Sequence, residues 1–348
     1  MAKKEDNTAG LQLLKDALKQ KRPHRLYFFY GEETFLMHYY LDKLKKMLVD
    51  ALTESFNYNK LTEETFALRA LADSVESLPM MAEHTFVWVD DVNIFELQED
   101  DRAKLVEVFS DIPDYCTVVF SYETKVWDPD KRFKKLWDAI STKGQIVEFA
   151  KRDQRELTAW IQRHFAANKK TIDPKLCAYL IDITGGTMTA LYGEISKICA
   201  YSGSDAITKS DIDAVVEPVL DAEVFNMAQM LGEGNYGAAL VKLRTLLKMQ
   251  EKPIAILGAI SRHFRNISAA RILMDNGRNA ADLMQLYGLY DSTARKTMEA
   301  AKRFSAPFCA KASEMIMETD RALKTSLDTP ERLMELLILR LAQEARNG

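Results

Sequence analysis

The chain has 348 residues, with 47 Lys+Arg against 51 Asp+Glu, a formal net charge of −4, 47% hydrophobic and 28% charged residues. These values are ordinary for a globular protein. They exclude a disordered tail, a collagen-like repeat, a small disulfide scaffold and a uniformly basic nucleic-acid binder. At about 100–200 residues per domain, the length predicts two or three domains, each able to bury a core.

The charge is unevenly spread. Residues 1–150 hold 20 basic and 27 acidic side chains, a net of −7, while residues 151–348 carry a net of +3. The two parts therefore suit different partners. The opening MAKKEDNTAG has no apolar run of the signal-peptide kind, and no stretch of 18 apolar residues occurs, so no membrane span is expected. Cys116, Cys177, Cys199 and Cys309 each lie beside apolar neighbours and form no Cys-x-x-Cys pair. They read as buried free thiols rather than a zinc ribbon, which suits a reducing, cytoplasmic setting.

Along the first 150 residues, helix and strand patterns alternate. Leu11, Leu14 and Leu18 predict a helix, and Leu26-Tyr27-Phe28-Phe29-Tyr30 predicts a buried strand ended by Gly31. Residues 33–49 follow as a helix, and Phe56 to Leu61 alternates like a strand. Leu68, Leu71, Val75 and Leu78 form one helical stripe. Strands at Thr85–Val89, Thr117–Phe120 and Ile146–Phe149 are separated by helices near 101–110 and 131–141. Five apolar strands alternating with helices predict an α/β domain with a mostly parallel sheet.

After Phe149 the strand signal stops, and Lys151-Arg152-Asp153 is a candidate hinge. Residues 154–217 predict four short helices broken at Gly185-Gly186 and Ser202-Gly203, the last capped by Thr208 with Asp211 three residues on. Pro218 marks a second boundary, and seven helices over 222–345 predict one bundle. The expected organisation is an α/β domain at 1–150, a helical unit at 151–218 and a bundle at 219–348.

The chemistry-bearing patterns are sparse. The turn after the first strand, Gly31-Glu32-Glu33, sits where a phosphate-binding loop belongs. Such a loop uses several glycines to aim N–H groups at phosphate and a Lys to reach its outer oxygens. Here there is one Gly, no Lys and two carboxylates, which would repel a nucleotide but suit the start of a helix. Asp90-Asp91 resembles a magnesium-holding pair, yet without a phosphate loop it reads as two solvated acids. The five histidines make no metal or nucleophile pattern, so no catalytic residue, metal site or cofactor is expected.

Two features stand out. In Leu78-Pro79-Met80-Met81, Pro79 interrupts or restarts the helix, and adjacent side chains on a helical turn point about 100° apart. One core layer cannot easily take both methionines. They are either core filler or an adaptable binding surface, for which Met is well suited. In the bundle, Arg262 and Arg265 share one helix face and Arg295 and Lys302 another. They are either solvated helix faces or phosphate contacts.

Several segments together carry a family resemblance. Leu26-Tyr27-Phe28-Phe29-Tyr30-Gly31-Glu32-Glu33 resembles the apolar strand and Gly-Glu/Asn-Glu/Asp turn of the delta subunits of bacterial DNA polymerase III clamp loaders. Leu78-Pro79-Met80-Met81-Ala82-Glu83 resembles that family's Leu/Pro-Leu-Phe-Gly/Ala-Glu segment. The run from Gly186 through Leu191, Glu194, Lys197 and Ile198 resembles its lid pattern. Ala301–Ser305 and Asp320–Lys324 resemble landmarks of its collar. Five motifs in order over nearly the whole chain are far more specific than any one alone.

The resemblance implies an AAA+ architecture without ATP hydrolysis: a RecA-type sheet domain, a lid and a collar bundle. It implies that Met80 and Met81, with Pro79 and Leu78, take the place of the hydrophobic pair that enters a pocket on the sliding clamp (beta). The pair departs from Leu-Phe by losing the aromatic ring. It implies collar contacts to the tau/gamma ATPase subunits and delta prime, and access to primed DNA through that complex. The competing readings are an active AAA+ ATPase and a DNA-binding scaffold. The missing Lys after Gly31 argues against the first, and clamp binding against duplex binding separates the second.

Overall fold

A strand buried on both faces needs apolar side chains at nearly every position rather than at alternate ones, and Leu26–Tyr30 has them. The computed structural model describes residues 3–347, with side chains from 9 to 346. It divides into two compact units between Arg152 and Asp153. The outermost residues of the expected terminal segments, Met1, Ala2 and Gly348, lie outside the described residues.

The first unit runs α1 (Lys3–Gln20), β1 (Leu26–Tyr30), α2 (Thr34–Leu48), α3 (Glu54–Asn57), β2 (Tyr58–Thr62), α4 (Leu68–Glu76), β3 (Thr85–Asp90), α5 (Glu99–Ser110), β4 (Cys116–Tyr122), α6 (Lys134–Lys143) and β5 (Gln145–Glu148). The strands form one sheet in the order β2-β3-β4-β1-β5, with every pairing parallel. Successive strand residues point to opposite faces, and both faces are covered. Leu26, Phe28, Val87, Val89, Val118 and Phe120 pack with Leu71 and Val75 of α4, Leu105 and Phe109 of α5 and Ile140 of α6. Tyr27, Phe29, Phe86, Val119 and Val147 pack with Leu11 and Leu14 of α1 and Met37, Leu41 and Leu44 of α2. Edge strand β5 is shielded by α1, whose Gly10 carbonyl accepts from Gln145 Nε2 at 3.0 Å. A Cβ on Gly10 would stand 2.2 Å from the Ile146 carbonyl oxygen.

Two boundaries differ from expectation. Phe56, expected in a strand, lies in the single turn α3 and is exposed, and β2 begins at Tyr58. The apolar stripe of α4 ends with Val75: the helix stops at Glu76, and Leu78 points into solvent. Pro79 accounts for this, because the residue before a proline is pushed out of the helical region.

The second unit is all helix apart from one isolated bridge, Thr171–Ala206. Its helices are α7 (Gln154–Ala167), α8 (Pro174–Thr184), α9 (Met188–Tyr201), α10 (Lys209–Val215), α11 (Leu220–Gly232), α12 (Tyr236–Lys248), α13 (Pro253–Asp275), α14 (Ala280–Tyr287), α15 (Asp291–Ala301), α16 (Ala306–Thr325) and α17 (Pro330–Asn347). The Thr208–Asp211 capping box forms at α10 as the sequence predicts. The long α13 is the spine of the bundle. Its Ile256, Ile260, Phe264 and Ile267 are buried in one core with Val224 and Leu231 of α11, Phe308 and Ala312 of α16 and Leu337 and Leu341 of α17.

A polar joint ties α7–α10 to the bundle. Asp182 of α8 accepts from Ser292 Oγ (2.8 Å), Thr293 Oγ1 (3.0 Å) and Lys296 Nζ (2.6 Å) of α15. The Ser292 N–H donates to Gln154 Oε1, and Tyr290 Oη donates to the Gly186 carbonyl at 2.9 Å. Gly186 has φ 74°, and a Cβ there would stand 2.4 Å from the Tyr290 ring. Gly186→Ala therefore meets both a left-handed backbone and a wall. It should lower stability by about 1–3 kcal/mol, read as a lower urea midpoint. An unchanged midpoint would show that the joint gives way freely.

Candidate functional site

A parallel sheet has two unlike ends. The turn after β1 lies at the carboxyl end, where open α/β sheets hold their ligands. Here that turn is occupied by the chain itself. The Phe149 N–H donates to the Tyr30 carbonyl (2.7 Å), and the Glu33 N–H donates back to the Phe149 carbonyl (2.9 Å). Gly31, at φ 127°, permits this closeness, since a Cβ would lie 2.4 Å from the Phe149 carbonyl oxygen. The N–H of Glu33, one that a phosphate-binding loop would aim at an anion, is thus already committed.

The two acids of the turn part company. Glu32 is exposed, while Glu33 is buried at the N-cap of α2 with no side-chain capping bond. Glu33 stands at the start of the helix, as expected, but out of solvent. Burial pushes its carboxyl up to about 7, against the pull of Arg152 and Lys151. Asp90 and Asp91, expected to be solvated, are bonded instead. Asp90 accepts from Ser121 Oγ (2.8 Å) and pairs with Lys60 (2.8 Å). Asp91, at φ 54°, accepts from the N–H groups of Glu123 (2.7 Å), Thr124 (3.1 Å) and Lys125 (3.3 Å). Burial alone would raise its carboxyl, but these donors outweigh it and hold it low. The pair is a latch between β3 and the loop after β4.

The amino end of the sheet carries the exposed methionines. Ser77–His84 joins α4 to β3 as a loop, so Met80 and Met81 do not lie on a helical turn as the sequence predicts. Pro79 is half-buried, whereas Leu78, Met80 and Met81 are 73%, 54% and 94% exposed. Met81 sits at φ 53°, a region a side chain of this size rarely occupies. Asn57, wholly buried at the end of α3, clasps this loop. The Met80 N–H donates to Asn57 Oδ1 (2.8 Å), and Asn57 Nδ2 donates to the Met80 carbonyl (2.9 Å). Tyr115 Oη donates to the Glu76 carbonyl at the loop's near end (3.0 Å). Neither Asn57 nor Tyr115 carries a local signal, because each acts across more than twenty residues of chain. Leu52 and Phe56, just before Asn57, are also exposed.

The remaining predicted positions are distributed over the helical unit. Leu191, Ile195 and Ile198 form the buried stripe of α9, and Glu194 pairs with Lys197 (2.7 Å) on its outer side. Arg262, Arg265, Arg295 and Lys302 are all exposed, and each has a partner of its own. Arg262 pairs with Asp221, Arg295 with Asp291 and Lys302 with Glu299, while Arg265 stacks on Tyr287. Exposed pairs of this kind are worth about 0–1 kcal/mol. Among the described residues, no three His, Cys, Asp or Glu side chains are placed to hold a metal, and no helix is long and apolar enough to cross a membrane. All four cysteines are free, with Cys199 only partly buried.

Glu33 makes the pH dependence of folding specific. Its carboxyl titrates at 4.5 in the unfolded chain and at about 7 when folded. Its contribution to stability is full below pH 4.5 and is lost as pH rises through 7. In Glu33→Gln, the fall in urea midpoint across that window should flatten. An equal slope in both proteins would place the titration elsewhere.

Residues 27–149 match the family described as DNA polymerase III, delta subunit, and residues 221–341 match the DNA polymerase III delta subunit, C-terminal domain. The chain is 25% identical over 331 residues to DNA polymerase III subunit delta of Bacillus subtilis (strain 168), covering 93% of this chain and 95% of that protein. It is 20% identical over 286 residues to the probable DNA polymerase III subunit delta of Aquifex aeolicus (strain VF5), covering 81% of each. Among solved structures, the Bacillus subtilis DNA clamp loader delta protein superposes with a TM-score of 0.63 at 22% identity, covering 95% of this chain and 98% of that one. The sheet unit has the five-stranded parallel α/β fold that the sequence predicts, and the chain shares the fold of that clamp loader delta protein. With the two family matches spanning more than half of its length, the chain belongs to the DNA polymerase III delta subunit family.

Proposed function

We propose that this chain binds a sliding clamp through Met80 and Met81 and holds it open for loading onto primed DNA, without hydrolysing ATP itself. The observation that carries this reading is the exposure of Met80 and Met81 on a loop whose backbone is held from beneath. Two such side chains entering a pocket are worth about 1.5–3 kcal/mol each. Such anchors favour an open clamp only to the extent that they bind the open state better than the closed one. The chain supplies a grip, and the energy of the cycle comes from its partners.

Three further parts of the reading rest on the family and on chemistry described above. The bundle from 219 onward is the collar that joins tau/gamma subunits and delta prime, and 151–218 is the lid. ATP binding by those partners exposes the methionine loop, and hydrolysis releases the clamp. The setting is the bacterial cytoplasm, where reduced thiols such as these four persist. The inert nucleotide turn is supported by the single Gly, the buried Glu33 and the committed N–H.

The Met80→Ala, Met81→Ala double variant should fold normally and bind the clamp at least about 100-fold more weakly, as the loss of two anchors implies. Clamp affinity equal to wild type would remove the assignment. The isolated wild-type chain should release no phosphate from ATP above a protein-free blank. Measurable turnover would favour an active ATPase, and strong duplex binding without clamp capture would favour a DNA-binding scaffold.

A further inference from the structure

Ser77–His84 is neither helix nor strand, so it has no backbone ladder of its own. Among the described residues, the only hydrogen bonds reaching its backbone are the two from Asn57 to Met80. Asn57 is fully buried, and both ends of its amide are used on the backbone of that one residue. An Asn side chain turned this way offers one acceptor and one donor side by side, which match the N–H and the carbonyl of a single backbone residue. The site is well chosen for the purpose. Asn57 directly precedes β2, and the loop directly precedes β3, the strand that β2 pairs with. The clasp therefore ties the loop that leads into β3 to the segment that leads into β2, beyond the end of the ladder.

The adjoining residue shows what the clasp holds. Met81 lies at φ 53° and is almost wholly exposed. A left-handed residue other than Gly persists only where its surroundings over-determine it. No packing supplies that constraint at a side chain in solvent, which leaves the fixed backbone of Met80. We propose that Asn57 is the positioning residue of the docking loop: it holds Met80 and Met81 in the orientation that a clamp pocket receives. This rests on the clamp-binding reading above. It does not touch the partner, and it acts by raising the fraction of free chains that already have the binding geometry.

That mechanism has a kinetic signature. When the competent fraction falls, apparent affinity falls by the same factor, and the loss appears in association, since the bound contacts are unchanged. A structural role would instead loosen the whole sheet. The experiment measures association and dissociation rates of full-length chain on immobilised sliding clamp from the same organism. It compares wild type, Asn57→Ala, Asn57→Asp, and the Met80→Ala, Met81→Ala variant. Amide hydrogen exchange is followed in parallel over 77–84 and over β2 and β3.

In Asn57→Ala, exchange over 77–84 should rise while β2 and β3 keep their protection. Association should slow about tenfold, which corresponds to a competent fraction near one-tenth, with dissociation little changed. Asn57→Asp keeps the shape and the acceptor but loses the donor to the Met80 carbonyl, and should fall between Asn57→Ala and wild type. It also carries the test if the alanine variant does not fold. A folded Asn57 variant that associates at the wild-type rate, while the methionine variant fails to bind, overturns the positioning role. Wild-type binding by the methionine variant overturns the clamp-binding reading itself.

Discussion

Five strands running the same way give a sheet two ends that differ chemically, and the local chemistry of the first unit follows that direction. At the carboxyl end, strand β1 would deliver N–H groups to a phosphate. Phe149 takes that role away, because its peptide bonds to both Tyr30 and Glu33. The closure depends on Gly31 having no Cβ and on β5 lying beside β1 in register, with Tyr30 opposite Glu148. Beside this closed turn Glu33 is buried, and burial pushes its carboxyl up toward the protonated form. The proposed inertness of this turn therefore rests on more than a missing lysine. The cradle is filled by the chain's own backbone.

The amino end is free of this constraint, and there the polar and apolar economies are reversed. The buried group is an amide with both of its bonding ends satisfied, and the exposed groups are apolar. Exposed Leu78, Met80 and Met81 cost the free chain the burial they would gain against a partner. Pinning their backbone limits what binding must order. Immobilising rotamer-rich side chains at an interface costs about 0.5–1.5 kcal/mol each, comparable with the gain from one anchor. Methionine, long and unbranched, also adapts to a pocket shaped for other side chains. A fixed backbone with adaptable side chains is a coherent way to replace a Leu-Phe pair.

The layered fold was legible in the sequence because its signals are short-range. The run at Leu26–Tyr30 is apolar throughout, Cys116–Tyr122 is apolar but for Thr117 and Ser121, and the crossover helices show their stripes at spacings of three and four. The exposure of the methionines was legible only in part. The adjacency of Met80 and Met81 argued against burial on helical geometry, and the loop exposes them for another reason, the break at Pro79. Asn57 was hidden because a buried amide clasp joins residues 23 apart and leaves no periodicity. Asp90 and Asp91 misled for the same cause: what satisfies Asp91 is a set of N–H groups more than thirty residues on, which no local pattern announces.

The charge asymmetry takes on a definite meaning at the level of side chains. Within the net of +3 over 151–348, the candidate phosphate contacts Arg262, Arg295 and Lys302 each face a carboxylate on their own surface. A phosphate competing for one of them must displace that carboxylate and gains only the small difference between two screened pairs. Lys296 is committed more deeply, to Asp182 in the joint between α8 and α15. Basic residues arranged in this way stabilise helices and fix one helical layer to the next. This arrangement is consistent with the proposed route to DNA, by way of an apolar grip on a clamp rather than by phosphate contacts of its own.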